Sequence, residues 1–354
     1  MAHGSAAETA GPGGAAVVRH LVRRRRLLLA GLAFILVFSF LLDLAVGPSG
    51  ISLREAMDAL FGMNEATRTE TVIMWQIRLP QAVTAILVGA SLSLAGAEMQ
   101  TILDNPLASP FTLGVSSAAA LGAALAFILN VSLPGLPATW LVPVNAFVFA
   151  FASVLLLQAL AASRGAGSDT LVLLGIAMVF ALNALVALLQ FVASESALQQ
   201  FVFWTMGNIS QVGWPRIGLI ALALAATYPA SFAARWQLTA LRFGADRALS
   251  FGVPVARLRF FALLRISLLA ALSVAFVGTI GFIGLVGPHI ARMLVGEDHR
   301  FFLPASLLTG AIVMSLSSFA SKALVPGILL PVGIVTSLVG IPIFVSLILR
   351  RSKQ

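Results

Sequence analysis

LLLAGLAFILVFSFLLDLAV, residues 27–46, is a run of 20 residues with one charged side chain, Asp43. About 20 apolar residues are what a helix needs to cross the hydrocarbon core of a bilayer. Basic residues precede the run at Arg19 and at 23–26, as they do in a signal peptide. No convincing small-residue cleavage site follows, however, so we interpret 27–46 as a first membrane span.

The composition of the whole chain points the same way. Of its 354 residues 59% are hydrophobic and only 10% are charged, and the mean hydropathy is +1.01. Soluble domains have roughly a quarter charged residues, and disordered chains have few apolar ones, so both classes are excluded. Because there is no cysteine, disulfide scaffolds, iron–sulfur clusters and thiol chemistry are excluded as well. The composition predicts an all-α polytopic membrane protein.

Nine further apolar stretches bring the predicted number of spans to about ten. Breaks at proline, glycine and charged clusters separate them, and Gly287-Pro288 is expected to interrupt the eighth. Residues 1–18, which are small and polar, are expected to be a disordered tail. The spans after the first are predicted at about 71–103, 107–129, 140–162, 170–193, 215–234, 260–281, 282–295, 301–325 and 329–349.

The distribution of basic residues predicts the orientation. With both termini inside, five of the 22 Lys and Arg residues fall on the outer side and 17 on the inner side, as the positive-inside rule requires. The net charge of +9 is therefore explained by membrane topology, and nucleic acid is not an expected partner. The outer five are Arg54, Arg68, Arg78, Arg216 and Lys322.

Residues that could perform chemistry are scarce. The two lysines, Lys322 and Lys353, both lack the context of a phosphate-binding P-loop, so this chain is not expected to be an ATPase or another enzyme. No metal or cofactor site is predicted. Asp43 is expected to reach the interface. Glu98 is the strong candidate for ion coupling or a proton relay inside the membrane. Two structural interpretations stay open beside that role: a carboxylate in a water-filled vestibule, or one that is hydrogen-bonded to a neighbouring helix.

The longest inner loop, residues 235–259, alternates basic, apolar and breaker residues. Gly244, Gly252 and Pro254 divide it, and apolar residues such as Leu249 and Phe251 lie between the breakers. The pattern predicts two short helices around a glycine turn, which form a compact element with an apolar surface and a basic rim. Such an element suits docking to a soluble partner; the alternative is a loop that lies on anionic lipid headgroups.

Several motifs together resemble one family, the permease subunits of type II ABC importers for iron chelates, haem and vitamin B12 (FecCD-type). The resemblance covers nearly the whole chain from about residue 27. The motifs are WQIRLP at 75–80, LVGA at 87–90, NPLA at 105–108, LGVS at 113–116, GTIGFIGLVGPHI at 278–290, DHR at 298–300 and LPVGIVT at 330–336.

The resemblance implies a fold and a set of partners. It implies a ten-span permease domain over 27–349, a basic cytoplasmic tail over 1–26 that is partly disordered, and a short tail over 350–354. The expected partners are a second permease copy, in a homodimer or a heterodimer, two cytoplasmic ATPase subunits that hold ATP-Mg, and an extracytoplasmic substrate-binding protein. The expected location is the bacterial inner membrane.

The resemblance also assigns roles to residues of this sequence. Arg78 and Lys322 match positions that dock the binding protein, although relatives commonly have arginine where Lys322 stands and a second basic residue where Gln81 stands. Asn105 and the pair Ser168 and Asp169 match positions near a cytoplasmic gate. The residues that match coupling to the ATPase are Gly244, Asp246, Arg247, Leu249, Gly252, Val253, Pro254 and Arg257.

The implied function is ATP-driven import by alternating access. For the cargo, a ferric siderophore is the first expectation, haem the second and cobalamin the third. Two other classes remain as alternatives: an ion-coupled secondary transporter, which would work without an ATPase, and a receptor or signalling module, which would not transport.

Overall fold

The computed structural model describes residues 12–47, 53–62, 67–131, 135–163, 168–325 and 327–351. Over these residues the chain is a bundle of helices. In chain order they are α1 (Pro12–Ala45), α2 (Leu53–Phe61), α3 (Arg68–Ile73), α4 (Leu79–Ile102), α5 (Val115–Leu129), α6 (Ala138–Ser163), α7 (Ser168–Phe191), α8 (Glu195–Thr205), α9 (Trp214–Ala233), α10 (Arg235–Leu241), α11 (Ala245–Ser250), α12 (Val255–Val277), α13 (Ile283–Val295), α14 (His299–Ala323) and α15 (Val332–Arg351).

Ten of these helices correspond to the ten predicted spans. Among the described residues, seven helices are long and apolar enough to cross a membrane, and three shorter apolar helices complete the set. The three shorter ones are α5, α13 and α15. We call the end of the bundle that holds residues 235–259 the loop end, and the opposite end the far end.

The second span is continuous with α3 and runs over Arg68–Ile102, and the first, third and seventh spans also differ from the sequence prediction. The helix α1 begins at Pro12, so residues 12–18 are helical and do not belong to a disordered tail. The third span starts at Val115 instead of 107, because Pro106, Pro110 and a left-handed Gly114 (φ 85°) keep the preceding segment out of an α-helix. The seventh runs over 255–277 instead of 260–281.

The helix α13 continues through Gly287-Pro288, where an interruption was expected. Proline has no N–H, so the carbonyl of Gly284, four residues earlier, loses its helical donor. The amide Nε2 of Gln100 lies 3.5 Å from that carbonyl oxygen, and Thr309 Oγ1 donates to the carbonyl of Gly287 at 2.8 Å. Side chains of neighbouring helices therefore satisfy the backbone around Pro288, and the helix is retained.

The central element is α4, which is buried along nearly its whole length. Gly96 of α4 packs on the backbone of Gly284 in α13, and Gly89 packs on the backbone of Gly310 in α14. Ser93, between them, contacts Gly287 and Gly310 and donates a hydrogen bond to the carbonyl of Ser306 at 2.5 Å. Lipid tails are as apolar as leucine, so helices in a bilayer associate through such close contacts of small residues.

We expect Gly96→Val to disrupt this contact. A Cβ at position 96 would collide with the backbone of Gly284, which has no side chain that could move aside. Overpacking of this kind costs about 1–3 kcal/mol or more, so the melting temperature of the detergent-solubilised protein should fall well below that of the wild type. Gly218→Val in α9 is the matched control, since a Cβ there meets open space. Equal melting temperatures for the two variants would contradict this packing argument.

Candidate functional site

The loop at 235–259 forms the predicted pair of short helices. The helices α10 and α11 are joined at Gly244, and a second turn at Gly252 leads into α12. Both glycines have positive φ values, 97° and 78°, a backbone region that other residues enter at a cost. We call residues 244–254 the knob.

The knob exposes apolar side chains to solvent. Leu249 is 57% exposed and Phe251 is 63% exposed, while Asp246 and Arg247 lie on the surface beside them. Val253 is buried, so it supports the knob from within and is not part of its surface. A compact element with exposed leucine and phenylalanine is typical of a surface that a partner covers.

Arg257 follows the knob, at the start of α12. It is the third residue of α12, and its guanidinium lies 5.8 Å from the ring centre of Phe261, one turn further along the same helix. The predicted coupling role of Arg257 stays a prediction, but its side chain packs along α12.

Arg242, at the end of α10, ties the knob to the bundle. Its Nη1 donates to Asp104 at 2.8 Å, and its Nε and Nη2 donate to the two carboxylate oxygens of Glu297 at 3.1 and 2.7 Å. Glu297 also pairs with Arg292 at 3.2 Å, and Arg292 donates to Gln100 at 2.8 Å. One arginine therefore connects α10 to the end of α4 and to the turn between α13 and α14.

His299 makes a second connection between the same elements. It is fully buried, with Nε2 2.8 Å from the hydroxyl of Thr101 in α4 and Nδ1 3.2 Å from the hydroxyl of Thr239 in α10. Arg259 of α12 joins a different pair of helices, since its Nε donates to the carbonyl of Ile102 at the end of α4 at 3.1 Å. Sequence reasoning missed these residues as a group, because the residues that meet here are up to 198 positions apart.

At the loop end, Asp298 joins α14 to α1. It caps the first turn of α14 and pairs with Arg300 at 2.7 Å and with Arg25 of α1 at 3.5 Å. Burial raises the pKa of Asp298, but the hydrogen bonds and positive charge of Arg300, together with Arg25, outweigh it and hold that pKa below its ordinary value.

Of the three predicted gate residues, the structure describes the side chain of Asn105, which lies at the loop end. Asn105 accepts a hydrogen bond from the backbone N–H of Leu107 at 2.9 Å, so it stabilises the turn after α4. Ser168 begins α7, but the side chains of Ser168 and Asp169 are outside the described part of the chain. The gate stays a prediction.

The predicted docking residues are buried at the far end. Arg78 is 2% exposed and donates to the carbonyls of Leu44 and Ala45 at 3.1 and 3.2 Å. Lys322 is 5% exposed, and its Nζ lies 2.9 Å from Asp43 Oδ1 and 3.1 Å from the carbonyl oxygen of Asp43. Asp43 also accepts a hydrogen bond from Ser318, so the expectation that it reaches the interface is wrong.

These contacts give Arg78 and Lys322 a structural role that the sequence did not suggest. Both cations bind the last turn of α1, where unpaired carbonyl groups and the helix dipole are negative. Direct contact with a binding protein stays a prediction, but neither side chain lies on the surface of this conformation.

Glu98 is hydrogen-bonded to a neighbouring helix, the second of the two interpretations. Arg265 of α12 approaches it with two nitrogens, Nη2 at 2.7 Å and Nε at 3.2 Å from Oε2. Arg265 had been counted with the inner basic residues, so its pairing inside the bundle was not foreseen.

A cavity of about 860 Å³ opens at the far end between α6, α8, α9 and α12. Its polar lining consists of four amide side chains, the hydroxyl of Thr139, the indole of Trp204 and one cation, Arg216, without a carboxylate among the described residues that line it. Arg216 is held by the carbonyl of Thr139 at 2.5 Å and lies 5.5 Å from the ring of Trp140. No group of three or more potential metal ligands occurs among the described residues.

A bundle of ten apolar helices, with ion pairs inside it and an exposed knob at one end, is the architecture of a polytopic membrane protein. The sequence profile of the FecCD transport family matches residues 35–350. The chain belongs to that family.

Individual relatives are similar in sequence to this chain over nearly its full length. The hemin transport permease HmuU of Yersinia pestis is 34% identical over 93% of this chain and 97% of its own. The vitamin B12 import permease BtuC of Salmonella typhi is 33% identical over 95% of this chain and 98% of its own. The molybdate import permease MolB of Haemophilus influenzae is 32% identical over 92% and 96%.

A solved structure of a metal-chelate type ABC transporter in an inward-facing conformation has the same fold. It is 30% identical, has a TM-score of 0.80 and covers 91% of this chain and 99% of its own. The chain therefore has the permease fold of a type II ABC importer, and the predicted family is confirmed.

The ion pair between Asp43 and Lys322 can be tested by comparing a single variant with a double variant. We expect Asp43→Asn alone to destabilise the protein by about 3–5 kcal/mol, because it leaves Lys322 charged and buried without its carboxylate. In Asp43→Asn/Lys322→Met no uncompensated charge remains, and much of the stability should return. Thermal unfolding in detergent measures the stability of both variants. If the double variant is no more stable than the single one, Asp43 and Lys322 are not coupled.

The Arg242 connection can be tested by hydrogen exchange. We expect Arg242→Gln to speed amide exchange in α10 (residues 235–241) by about 10-fold or more, because hydrogen bonds between charged groups contribute about 1.5–3 kcal/mol. Arg247→Gln on the exposed face of α11 is the control and should leave α10 unchanged. Equal protection of α10 in the wild type and in the Arg242 variant would show that Arg242 does not hold the loop.

Proposed function

We propose that this chain is the membrane-spanning subunit of an ATP-driven importer for an iron chelate. Two permease copies would line the pathway, two cytoplasmic ATPase subunits would bind at the loop end, and an extracytoplasmic binding protein would deliver the cargo at the far end. ATP-Mg belongs to the ATPase subunits in this proposal, and this chain needs no cofactor of its own.

The observation that carries the proposal is the knob and its attachment. Leu249 and Phe251 are exposed on a glycine-bounded helix that has Arg247 at its rim. An apolar patch with a basic border fits the cleft of a soluble partner. Because Arg242 and His299 connect α10 to α4 and α14, a force applied to the knob would reach the centre of the bundle.

Alternating access would follow from that connection. Closure of the ATPase dimer on ATP would move the knobs of the two copies, and α10 would carry the loop-end turns of α4 and α14 with it. Asn105 lies in one of these turns, and Ser168 begins α7 at the same end. We assign the cytoplasmic gate to these residues and to Asp169.

The cargo assignment rests on the family and on the far-end cavity. The relatives carry haem, vitamin B12 and molybdate, so membership alone leaves the cargo open. The cavity offers amide donors and one guanidinium, which suit an anionic ligand rich in oxygen acceptors. A ferric siderophore has that chemistry and is our first candidate; haem is the second and cobalamin the third.

We propose that the chain is a multi-pass protein of the bacterial inner membrane, with the loop end and both termini in the cytoplasm. The predominance of basic residues on that side supports this orientation. The far end then faces the binding protein. Since Arg78 and Lys322 are buried there, we propose that they support docking by holding the end of α1 beneath the contact surface.

The knob provides the test. We expect Leu249→Asp/Phe251→Asp to lose co-purification with the ATPase subunit of the same uptake system and to lose ATP-dependent uptake of a radiolabelled ferric siderophore into proteoliposomes. A charged pair in a desolvated apolar contact costs several kcal/mol, so the loss of binding should exceed about 100-fold. Phe61→Asp is the control, because Phe61 is exposed on α2, far from the loop end.

Two outcomes would contradict the proposal. Retained ATPase binding by the knob variant would remove the assigned contact. Wild-type uptake that proceeds without the ATPase and collapses with an ionophore would identify an ion-coupled secondary transporter.

A further inference from the structure

A groove of about 450 Å³ lies between α9, α10 and α12 at the loop end. Ala230 of α9 and Ala234, which directly follows that helix, form one wall, and Phe261 of α12 forms the other. Two guanidinium groups, Arg257 and Arg265, line the same groove. Of the knob, Pro254 also lines the groove, at its loop-end edge.

The charged and aromatic residues of the groove share one side of α12. Arg257, Phe261 and Arg265 follow each other at intervals of four residues, so they lie one above the other over about 12 Å of helix. The helix thus presents a cation at its loop-end tip, then an aromatic ring, then a second cation deeper in the bundle.

The two cations differ in how their charge is balanced. The guanidinium of Arg265 is paired with the buried carboxylate of Glu98. For Arg257, no salt bridge forms within the described part of the chain, and its ring contact with Phe261 leaves its charge uncompensated. The first turn of α12 has no acidic residue, so the positive end of the helix dipole adds to the charge of Arg257.

The walls of the groove continue into faces that suit hydrocarbon. Leu222 of α9 is 66% exposed, and Phe260 and Phe261 of α12 are about half exposed. Both helices are candidate membrane spans, and the groove lies at the end of each. The exposed apolar faces of the two spans therefore adjoin an uncompensated cation near the loop end of each helix.

We propose that this groove binds an anionic phospholipid of the leaflet at the loop end. The headgroup phosphate would pair with Arg257, and one acyl chain would run over Phe261 between α9 and α12. Charge complementarity selects this occupant, because a zwitterionic lipid offers a second positive charge where the groove is already positive. The site is distinct from the far-end cavity and lies beside the exposed apolar side chains of the knob.

Native mass spectrometry of the purified full-length permease tests the proposal. After exchange into mixed micelles with phosphatidylglycerol or phosphatidylcholine, we expect the wild type to retain phosphatidylglycerol preferentially. Arg257→Gln should lower that affinity about fivefold, since one arginine near a membrane surface contributes about 1 kcal/mol. The control is Arg300→Gln, an exposed arginine at the same end of the bundle that does not line the groove.

A second variant distinguishes the contribution of the groove's shape from that of the charge of Arg257. Ala230→Trp fills the space beside Phe261 without changing the charge, and we expect it to lose bound phosphatidylglycerol while Arg257 remains. Melting temperatures confirm that each variant is folded before its lipid content is compared.

Four results would overturn the proposal. They are equal losses for the Arg257 and Arg300 variants, equal retention of the two lipids, complete displacement by inorganic phosphate, and loss of the lipid when the ATPase subunits or a second permease copy bind. The third would indicate a site for free anions, and the fourth a protein interface.

Discussion

Close contact between helix backbones around α4 is the constraint on which the rest of the structure depends. A bilayer supplies no hydrophobic force that pulls one apolar helix toward another, so helices stay together only where their surfaces fit. Gly96 against Gly284 and Gly89 against Gly310 bring α4 within backbone contact of α13 and α14. That approach also brings Gln100 near the carbonyl freed by Pro288, and so allows a proline inside α13.

Charges inside the bundle follow a second constraint, which is that each described acid pairs with a base from another helix. Glu98 pairs with Arg265 across α4 and α12, and Asp43 with Lys322 across α1 and α14. An unpaired charge in a membrane is expensive, whereas a pair with further hydrogen bonds is tolerated. The charges that sequence analysis considered for docking or for a relay are thus used to join helices.

The spans and the short helices of the loop could be predicted from the sequence, whereas the contacts between residues distant in the chain could not. The ten spans and the helix–glycine–helix loop follow from local patterns of apolar and breaker residues, and the structure has them. The burial of Arg78 and Lys322 could not be foreseen, since it depends on the end of a helix more than 30 residues from one and about 280 from the other. The same holds for Arg242, whose partners Asp104 and Glu297 come together only when α4 and α13 are packed.

The two ion pairs that join α1 to the ends of α14 affect how the membrane can fit around them. Asp298 holds Arg25 at the loop end, and Lys322 holds Asp43 at the far end, so the two parallel helices cannot slide past each other. The 18 residues from Arg25 to Asp43 span about 27 Å, close to the thickness of a bilayer's hydrocarbon core. A thicker or thinner membrane must therefore be accommodated by tilting both helices as one unit, or by deforming the lipid beside them.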